Sequence, residues 1–248
     1  MLVAAVVVLA VAGCGGSGTS YPTHQSAVGP VGRGSDGVWL FRPAGKPKGL
    51  VVFFHGQGGP EEATPVNHRP WIDHLVARGD VVVYPRWEID YERNPLEHAV
   101  AGVHTALKRL DGVDGLPVLV IGYSRGGALA LEYAAEAPKK DVPVPDAVMS
   151  VFPIPQGEVD RQVSFATLDR STRVVLMVGD KDTVVYGLGA RVLLRRLENG
   201  GFPAEQVKVM FARSHGSFFA DHLSPMKTSP AARKTFWRPA DSLLAQVQ

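Results

Sequence analysis

Three regions of this chain carry the residue types needed for nucleophilic catalysis by a serine. Ser124 lies in the run Gly122-Tyr123-Ser124-Arg125-Gly126, which follows the apolar residues 117–121. A serine hydroxyl is a poor nucleophile until a histidine takes its proton, and an acid must hold that histidine in the correct tautomer. Candidates for both partners follow later apolar runs: Asp180 or Asp182, and His215 or His222.

The Gly-x-Ser-x-Gly run predicts a sharp turn between a strand and a helix. Such a turn strains the backbone of the serine and leaves no room for side chains at the two flanking glycines. Ser124 is then held out at one edge of a sheet. The alternative is that Ser124 only caps the following helix, although an N-cap serine does not require glycine on both sides.

A second glycine-rich turn follows an earlier apolar run. Residues 49–54 are apolar, and they end in His55-Gly56-Gln57-Gly58-Gly59. A turn of this kind after an inner strand can aim backbone N–H groups at an oxygen on which negative charge develops. The alternative is an ordinary loop between a strand and a helix.

The serine, the acid and the histidine occur in that order, and the acid and histidine each follow a separate predicted strand. In these features the chain resembles the α/β-hydrolase superfamily over about residues 37–248. Within the superfamily it is most similar to dienelactone hydrolases and small secreted esterases. The resemblance implies that Ser124 is the nucleophile and that the backbone N–H groups of Gln57 and Arg125 form an oxyanion hole. It also implies that Asp182 is the acid and His215 the general base.

Two of these assignments involve a choice between neighbours. The family spacing places the acid three residues after Gly179, which favours Asp182 and leaves Asp180 as a turn residue. We expect His215 rather than His222 to be the base, because it comes sooner after the mostly apolar run 207–211. The glycine that follows His215 lets the loop fold back toward the serine. His222 is then a surface residue or makes local hydrogen bonds.

The function implied is that of a serine hydrolase acting on carboxylic esters through an acyl-enzyme, without a cofactor. An acyltransferase or a peptidase can use the same triad, so both remain alternatives. A third alternative is a non-catalytic lipoprotein that binds an apolar ligand. The eight histidines show no spacing typical of a metal site, and we therefore expect no metal.

The elements that must position these residues alternate between strands and helices, which predicts a doubly wound, mostly parallel α/β sheet flanked by helices. We expect no large cap domain, because only about twenty residues separate the strands that end near residue 152 and begin at 173. Trp87 and Phe218 are candidates to line the acyl pocket, and core packing is the alternative for both. The predicted strands span residues 37–43, 49–55, 80–85, 117–122, 146–152, 173–179 and 206–212.

Composition limits the remaining possibilities. The 248 residues are 45% hydrophobic and 20% charged, which suits one globular domain with a full-sized core. The net charge is +2, and the basic residues are scattered among acidic ones. This pattern gives no indication of nucleic-acid binding.

The N-terminal residues form a separate segment. Residues 2–12 are apolar and are followed by Gly13-Cys14, and Cys14 is the only cysteine in the sequence. This arrangement resembles the lipobox of a bacterial lipoprotein signal peptide, which ends at a cysteine that carries lipid, although no Lys or Arg precedes the apolar run. Residues 15–36 are then a flexible tether, and the protein is expected on the outer side of the cytoplasmic membrane. The alternative is a plain secretory signal and a free, secreted protein.

Overall fold

A single eight-stranded sheet positions all the candidate site residues. The structure is a computed structural model, and it describes residues 24–90, 93–154 and 163–247. Cys14 and the predicted signal peptide lie outside the described residues. The strands are β1 (Ser26–Val31), β2 (Val38–Arg42), β3 (Gly49–Phe54), β4 (Asp80–Pro85), β5 (Val118–Tyr123), β6 (Ala147–Val151), β7 (Arg173–Gly179) and β8 (Val207–Ala212).

The strands lie in the order β1-β2-β4-β3-β5-β6-β7-β8. The strands from β3 to β8 run parallel to one another, and β1 and β2 pair antiparallel at one edge. The chain therefore leaves each parallel strand at the same edge of the sheet, namely the edge that the carboxyl ends of these strands form. Ser124, Asp182 and both candidate histidines follow strands of this group, so they all emerge at that edge.

Helices cover both faces of the sheet because its inner strands are apolar on both faces. All six residues of β3, of β4 and of β5 are buried. Residues from α2, α3 and α4 pack against one face, and residues from α1 and α6 pack against the other. The helices are α1 (Arg69–Arg78), α2 (Pro95–Leu107), α3 (Arg125–Glu136), α4 (Leu188–Asn199), α5 (Pro230–Ala232) and α6 (Arg238–Val247), and a π-helical segment, Arg233–Trp237, joins the last two.

The doubly wound, mostly parallel α/β fold predicted from the sequence is confirmed. The seven predicted strands match β2 to β8, with ends that differ by at most one residue. Part of the predicted tether, however, is structured, since Ser26–Val31 forms the edge strand β1. Within residues 24–90, 93–154 and 163–247, no helix is both long and hydrophobic enough to traverse a bilayer.

Candidate active site

Ser124 lies in a strained turn between β5 and α3. Its backbone has φ 56° and ψ −121°, a conformation that non-glycine residues rarely adopt. A Cβ atom at Gly122 would lie 2.0 Å from the carbonyl oxygen of Gly126, and one at Gly126 would lie 2.2 Å from the carbonyl oxygen of His55. Both distances are far below van der Waals contact. Glycine is therefore required on each side of Ser124, as the sequence run predicts.

The close approach at Gly126 leads to a stability prediction. We expect Gly126→Ala to lower the free energy of unfolding by about 3 kcal/mol or more, because the methyl group meets rigid backbone. For a protein of this size, that loss lowers Tm by about 6–12 °C or more. Thermal unfolding followed by circular dichroism measures the shift.

Gly45→Ala is the matched control for this prediction. Gly45 has φ 80°, but no atom lies within 4 Å of an added Cβ. Its alanine variant therefore suffers only backbone strain, about 1 kcal/mol. Equal Tm values for the two variants would show that the turn around Ser124 is not tightly packed.

Ser124, His222 and Asp182 form a hydrogen-bonded line. His222 Nε2 lies 3.0 Å from Ser124 Oγ, and His222 Nδ1 lies 2.9 Å from Asp182 Oδ2. The other carboxylate oxygen, Oδ1, accepts hydrogen bonds from the backbone N–H groups of Val184 and Val185. Burial favours a higher pKa for Asp182, but the hydrogen bonds from His222 and these N–H groups outweigh it and lower the pKa. Asp182 is therefore an ionised acceptor that fixes the imidazole.

The expectation that His215 meets Ser124 is not fulfilled, because the structure brings His222 there instead. His215 is exposed, and its backbone N–H and carbonyl pair with those of Phe218 in a tight turn. Gly216 within this turn has φ 55°. The loop after β8 thus turns outward at His215 and returns to the site at His222. The sequence Ser-His-Gly-Ser at 214–217 is typical of a turn, and this pattern is the signal in the sequence that places His215 at the tip of a turn.

Asp180 occupies the turn position predicted for it. Its carboxylate accepts hydrogen bonds from the backbone N–H and the hydroxyl of Ser214. These bonds lower the pKa of Asp180. The side chain thereby ties the start of the loop after β8 to the loop after β7, and it is not joined to His222.

The glycine-rich turn after β3 lies against Ser124. A Cβ atom at Gly56 would lie 3.2 Å from the Cβ of Ser124. Gln57 follows directly and is half-buried. On the other side, Arg125 is the first residue of α3, and N–H groups in the first turn of a helix point out of its N-terminus. The turn that carries Gln57 thus contacts Ser124 through Gly56, and Arg125 follows Ser124 directly in the chain.

The side chain of His55 stabilises the glycine-rich turn after β3. The side chain is fully buried, and its Nδ1 atom lies 2.6 Å from the carbonyl oxygen of Gly56, to which it donates. Burial lowers the pKa of His55 to about 4. The ring therefore stays neutral near neutral pH, and it stacks on Trp87 with 5.0 Å between centroids. Neutral His55 is a structural support and carries no charge toward Ser124.

Neither Trp87 nor Phe218 offers a substrate surface of the kind expected for the acyl pocket. Trp87 is 0% exposed and Phe218 is 5% exposed. Trp87 packs under the guanidinium of Arg125, which also binds both carboxylate oxygens of Glu88 at 2.7 Å. Phe218 packs against Phe236 in the core. Both aromatic residues have the core-packing role that was the alternative.

Exposed apolar side chains instead cluster on the two loops that carry Asp182 and His222. One loop follows β7 and the other follows β8, and these strands are neighbours in the sheet. Each side chain of the set is more than half exposed, which is unusual for so many large apolar residues on two adjoining loops. The set, here called the apolar rim, comprises Val184, Tyr186, Phe219 and Leu223.

Comparisons with known proteins agree with the fold. No protein-family model matches the chain. Human monoglyceride lipase is 29% identical over 117 residues, and the match covers 42% of this chain and 37% of the lipase. The chain therefore matches little more than a third of the length of that curated relative.

Solved structures match over most of the chain at low identity. Esterase B from Lactobacillus rhamnosis, in a structure with a C4-C4 SN3 tributyrin phosphonate, is 17% identical with a TM-score of 0.66, covering 92% of this chain and 88% of the esterase. An α/β-hydrolase enzyme from a Medee basin deep-sea metagenome library is 17% identical with a TM-score of 0.63, covering 92% and 98%. A Klebsiella pneumoniae protein described as a dienelactone hydrolase is 17% identical with a TM-score of 0.61, covering 85% and 92%. The chain has the α/β-hydrolase fold.

Proposed function

We propose that the protein is a serine hydrolase that cleaves carboxylic esters through an acyl-enzyme. The observation that supports this most directly is the line of hydrogen bonds from Ser124 through His222 to Asp182. The strained backbone of Ser124 adds to it, because strain of this kind presents a serine at the sheet edge in the nucleophile turn of α/β-hydrolases. This proposal assigns the general base to His222 in place of His215.

The reaction begins when Ser124 Oγ bonds to the ester carbonyl carbon and its proton passes to His222 Nε2. The imidazolium that forms is stabilised by the ionised Asp182. His222 then gives the proton to the leaving alcohol oxygen as the ester C–O bond breaks. In the second half, a water molecule gives a proton to His222 as its oxygen bonds to the acyl carbon. The bond from that carbon to Ser124 Oγ then breaks, His222 returns the proton to Oγ, and the carboxylic acid leaves.

We propose the backbone N–H groups of Gln57 and Arg125 as the oxyanion hole. Negative charge develops on the carbonyl oxygen in both tetrahedral intermediates, and each donor placed there can lower the barrier by roughly 3–4 kcal/mol. The contact between Gly56 and Ser124 supports this role for the turn after β3. The ion pair between Arg125 and Glu88 supports it for the start of α3, because it anchors the residue that carries the second donor.

The apolar rim favours esters of hydrophobic acids or alcohols as substrates. Its four side chains are exposed on the loops that hold Asp182 and His222, and we infer that they contact the apolar group of an ester bound at Ser124. The partial match to a monoglyceride lipase and the fold shared with an esterase that binds a tributyrin phosphonate agree with this class. An acyltransferase differs only in the acceptor that attacks the acyl-enzyme. A peptidase differs only in the leaving group, which is an amine in place of an alcohol.

A fluorophosphonate probe together with a substrate panel tests the function. The panel contains p-nitrophenyl esters of acetate, butyrate, octanoate and palmitate, the matching anilides, and glycerol as an acyl acceptor. We expect labelling of the protein, hydrolysis of esters but not anilides, and kcat/KM that rises from acetate to octanoate. Ester turnover that occurs only with glycerol present indicates an acyltransferase. No labelling and no turnover indicates a binding protein.

We also propose that Cys14 carries a lipid that anchors the protein to the outer side of the cytoplasmic membrane. The support is the sequence alone, in which a short apolar run and small residues precede the only cysteine. We expect the protein expressed in bacteria to enter the detergent phase, because a two-chain or three-chain anchor gives lasting attachment where a single chain does not. Cys14→Ser should move it to the aqueous phase or stop its processing. Wild-type protein in the aqueous phase with an unmodified or absent Cys14 would mean that it is secreted.

A further inference from the structure

Tyr123 joins the residue before Ser124 to the loop that carries His222. Its side chain is 3% exposed, and its hydroxyl donates a hydrogen bond of 2.9 Å to the backbone carbonyl oxygen of His222. The two rings also lie against each other, with 5.2 Å between their centroids. One tyrosine therefore holds both the backbone and the ring of His222.

The same ring lies against the turn that carries Gln57. A Cβ atom at Gly56 would lie 3.0 Å from the Cδ1 and Cε1 atoms of Tyr123, so the tyrosine ring packs directly against this turn. Behind it, the buried ring of His68 packs edge to face at 5.4 Å. Tyr123 thus contacts the two chain segments that must keep a fixed distance from Ser124.

Phe218 anchors the loop after β8 in the core, but the large apolar residues nearest His222 do not. Phe219 and Leu223 on either side of His222 are more than half exposed, while Ala220 is buried. The imidazole is aimed by Ser124 and Asp182, but two hydrogen bonds to a ring do not fix the backbone that carries it. A third fixed point at the carbonyl of His222 restricts how far the ring can move toward or away from Ser124 Oγ.

The hydroxyl of Tyr123 is a permanent donor. Burial raises the pKa of Tyr123 well above its ordinary value, and the nearby carboxylates of Glu62, Asp182 and Asp221 raise it further. The hydroxyl therefore stays protonated at neutral and mildly alkaline pH. The bond to the His222 carbonyl does not depend on the titration of the site.

We propose that Tyr123 is a positioning residue, whose hydroxyl sets, through the backbone carbonyl of His222, the distance between the His222 imidazole and Ser124 Oγ. The inference rests on the proposed function, since it assigns His222 as the general base. It extends that function by adding a residue that acts on the reaction through His222. Misplacement of a reacting group by about 1 Å can cost on the order of 100-fold in rate.

Tyr123→Phe tests this role, with Tyr133→Phe as the matched control. Tyr133 is also fully buried, and its hydroxyl donates to a backbone carbonyl, that of Pro143, at 3.2 Å. Both variants keep the aromatic ring and lose one tyrosine-to-carbonyl hydrogen bond, so both should lose similar stability. We expect Tyr123→Phe to lower kcat by about 10-fold to 100-fold with KM changed less than twofold. Tyr133→Phe should leave both constants within twofold of wild type.

A spectroscopic measurement separates positioning from general loosening of the fold. The Nδ1 proton shared by His222 and Asp182 gives a far-downfield proton resonance when the imidazolium is formed, and its position reports the geometry of that bond. We expect this resonance to shift or broaden in Tyr123→Phe and to be unchanged in Tyr133→Phe. Equal kcat in the two variants, or an unmoved resonance in Tyr123→Phe, overturns the proposal.

The two proposals fail in different ways. If wild-type protein neither binds the fluorophosphonate nor hydrolyses any ester, the proposed function is wrong. The resonance in the free protein then still decides whether Tyr123 positions His222. If wild type is active and both tyrosine variants match it, the function stands and the positioning role is wrong.

Discussion

Ser124→Ala is expected to abolish ester hydrolysis almost completely. The hydroxyl oxygen is the atom that forms the acyl-enzyme, and no other group in the hydrogen-bonded line can replace it. We expect kcat to fall by roughly 10⁴-fold or more, and the oxyanion hole and substrate binding account for the activity that remains. Wild-type protein should also gain the mass of a fluorophosphonate adduct on the peptide that contains Ser124, and the variant should gain none.

Ser171→Ala is a matched control for this change. Its hydroxyl donates to the Asp169 carboxylate on the exposed surface before β7, at the opposite edge of the sheet from Ser124. This variant should keep wild-type kcat and wild-type labelling. Retained activity in Ser124→Ala, or an adduct on a different serine, contradicts the proposed mechanism.

The residues around Ser124 were predictable because their constraints are local. Gly122 and Gly126 are fixed by backbone atoms within a few residues or on the adjoining strand, and that requirement is visible as a sequence run. The parallel sheet was predictable for a related reason. Strands buried on both faces are continuous apolar runs, and β3, β4 and β5 are buried along their whole length.

The edge strand β1 was not predictable on these grounds. It contains Gly29 and Pro30, and four of its six residues are exposed, so it has neither a continuous apolar run nor alternation. Its position is set by backbone pairing with β2, which leaves little trace in the identity of side chains. In the sequence alone, residues 26–31 therefore have the features of a flexible tether.

The sequence does not predict that His222 contacts Ser124, because the path of a long loop is a tertiary property. The nine residues between Ala212 and His222 first turn outward, through the backbone pair formed by His215 and Phe218. They return where the N–H of Lys181 donates to the carbonyl of Ala220, and His222 follows. Distance along the chain from the strand was therefore a poor guide to distance from Ser124.

The comparison of His222→Ala with His215→Ala decides between these two assignments. His222 Nε2 is the atom within hydrogen-bonding distance of Ser124 Oγ, and His215 is exposed on the turn. We expect His222→Ala to lower kcat by roughly 10⁴-fold or more, because the nucleophile, its base and the acid act as one unit. His215→Ala should change kcat less than about twofold, as surface substitutions away from a site generally do.

The rate of fluorophosphonate labelling makes the same comparison without a substrate. Labelling requires Ser124 Oγ to lose its proton, so it should become very slow in His222→Ala and stay at the wild-type rate in His215→Ala. The two variants also share one chemical change, from imidazole to methyl, at half-buried and exposed positions of the same loop. A larger loss in His215→Ala would mean that the loop after β8 rearranges so that its tip reaches Ser124. A large loss in His222→Ala alone would instead agree with the loop position in the structure, where the Tyr123 hydroxyl donates to the His222 carbonyl.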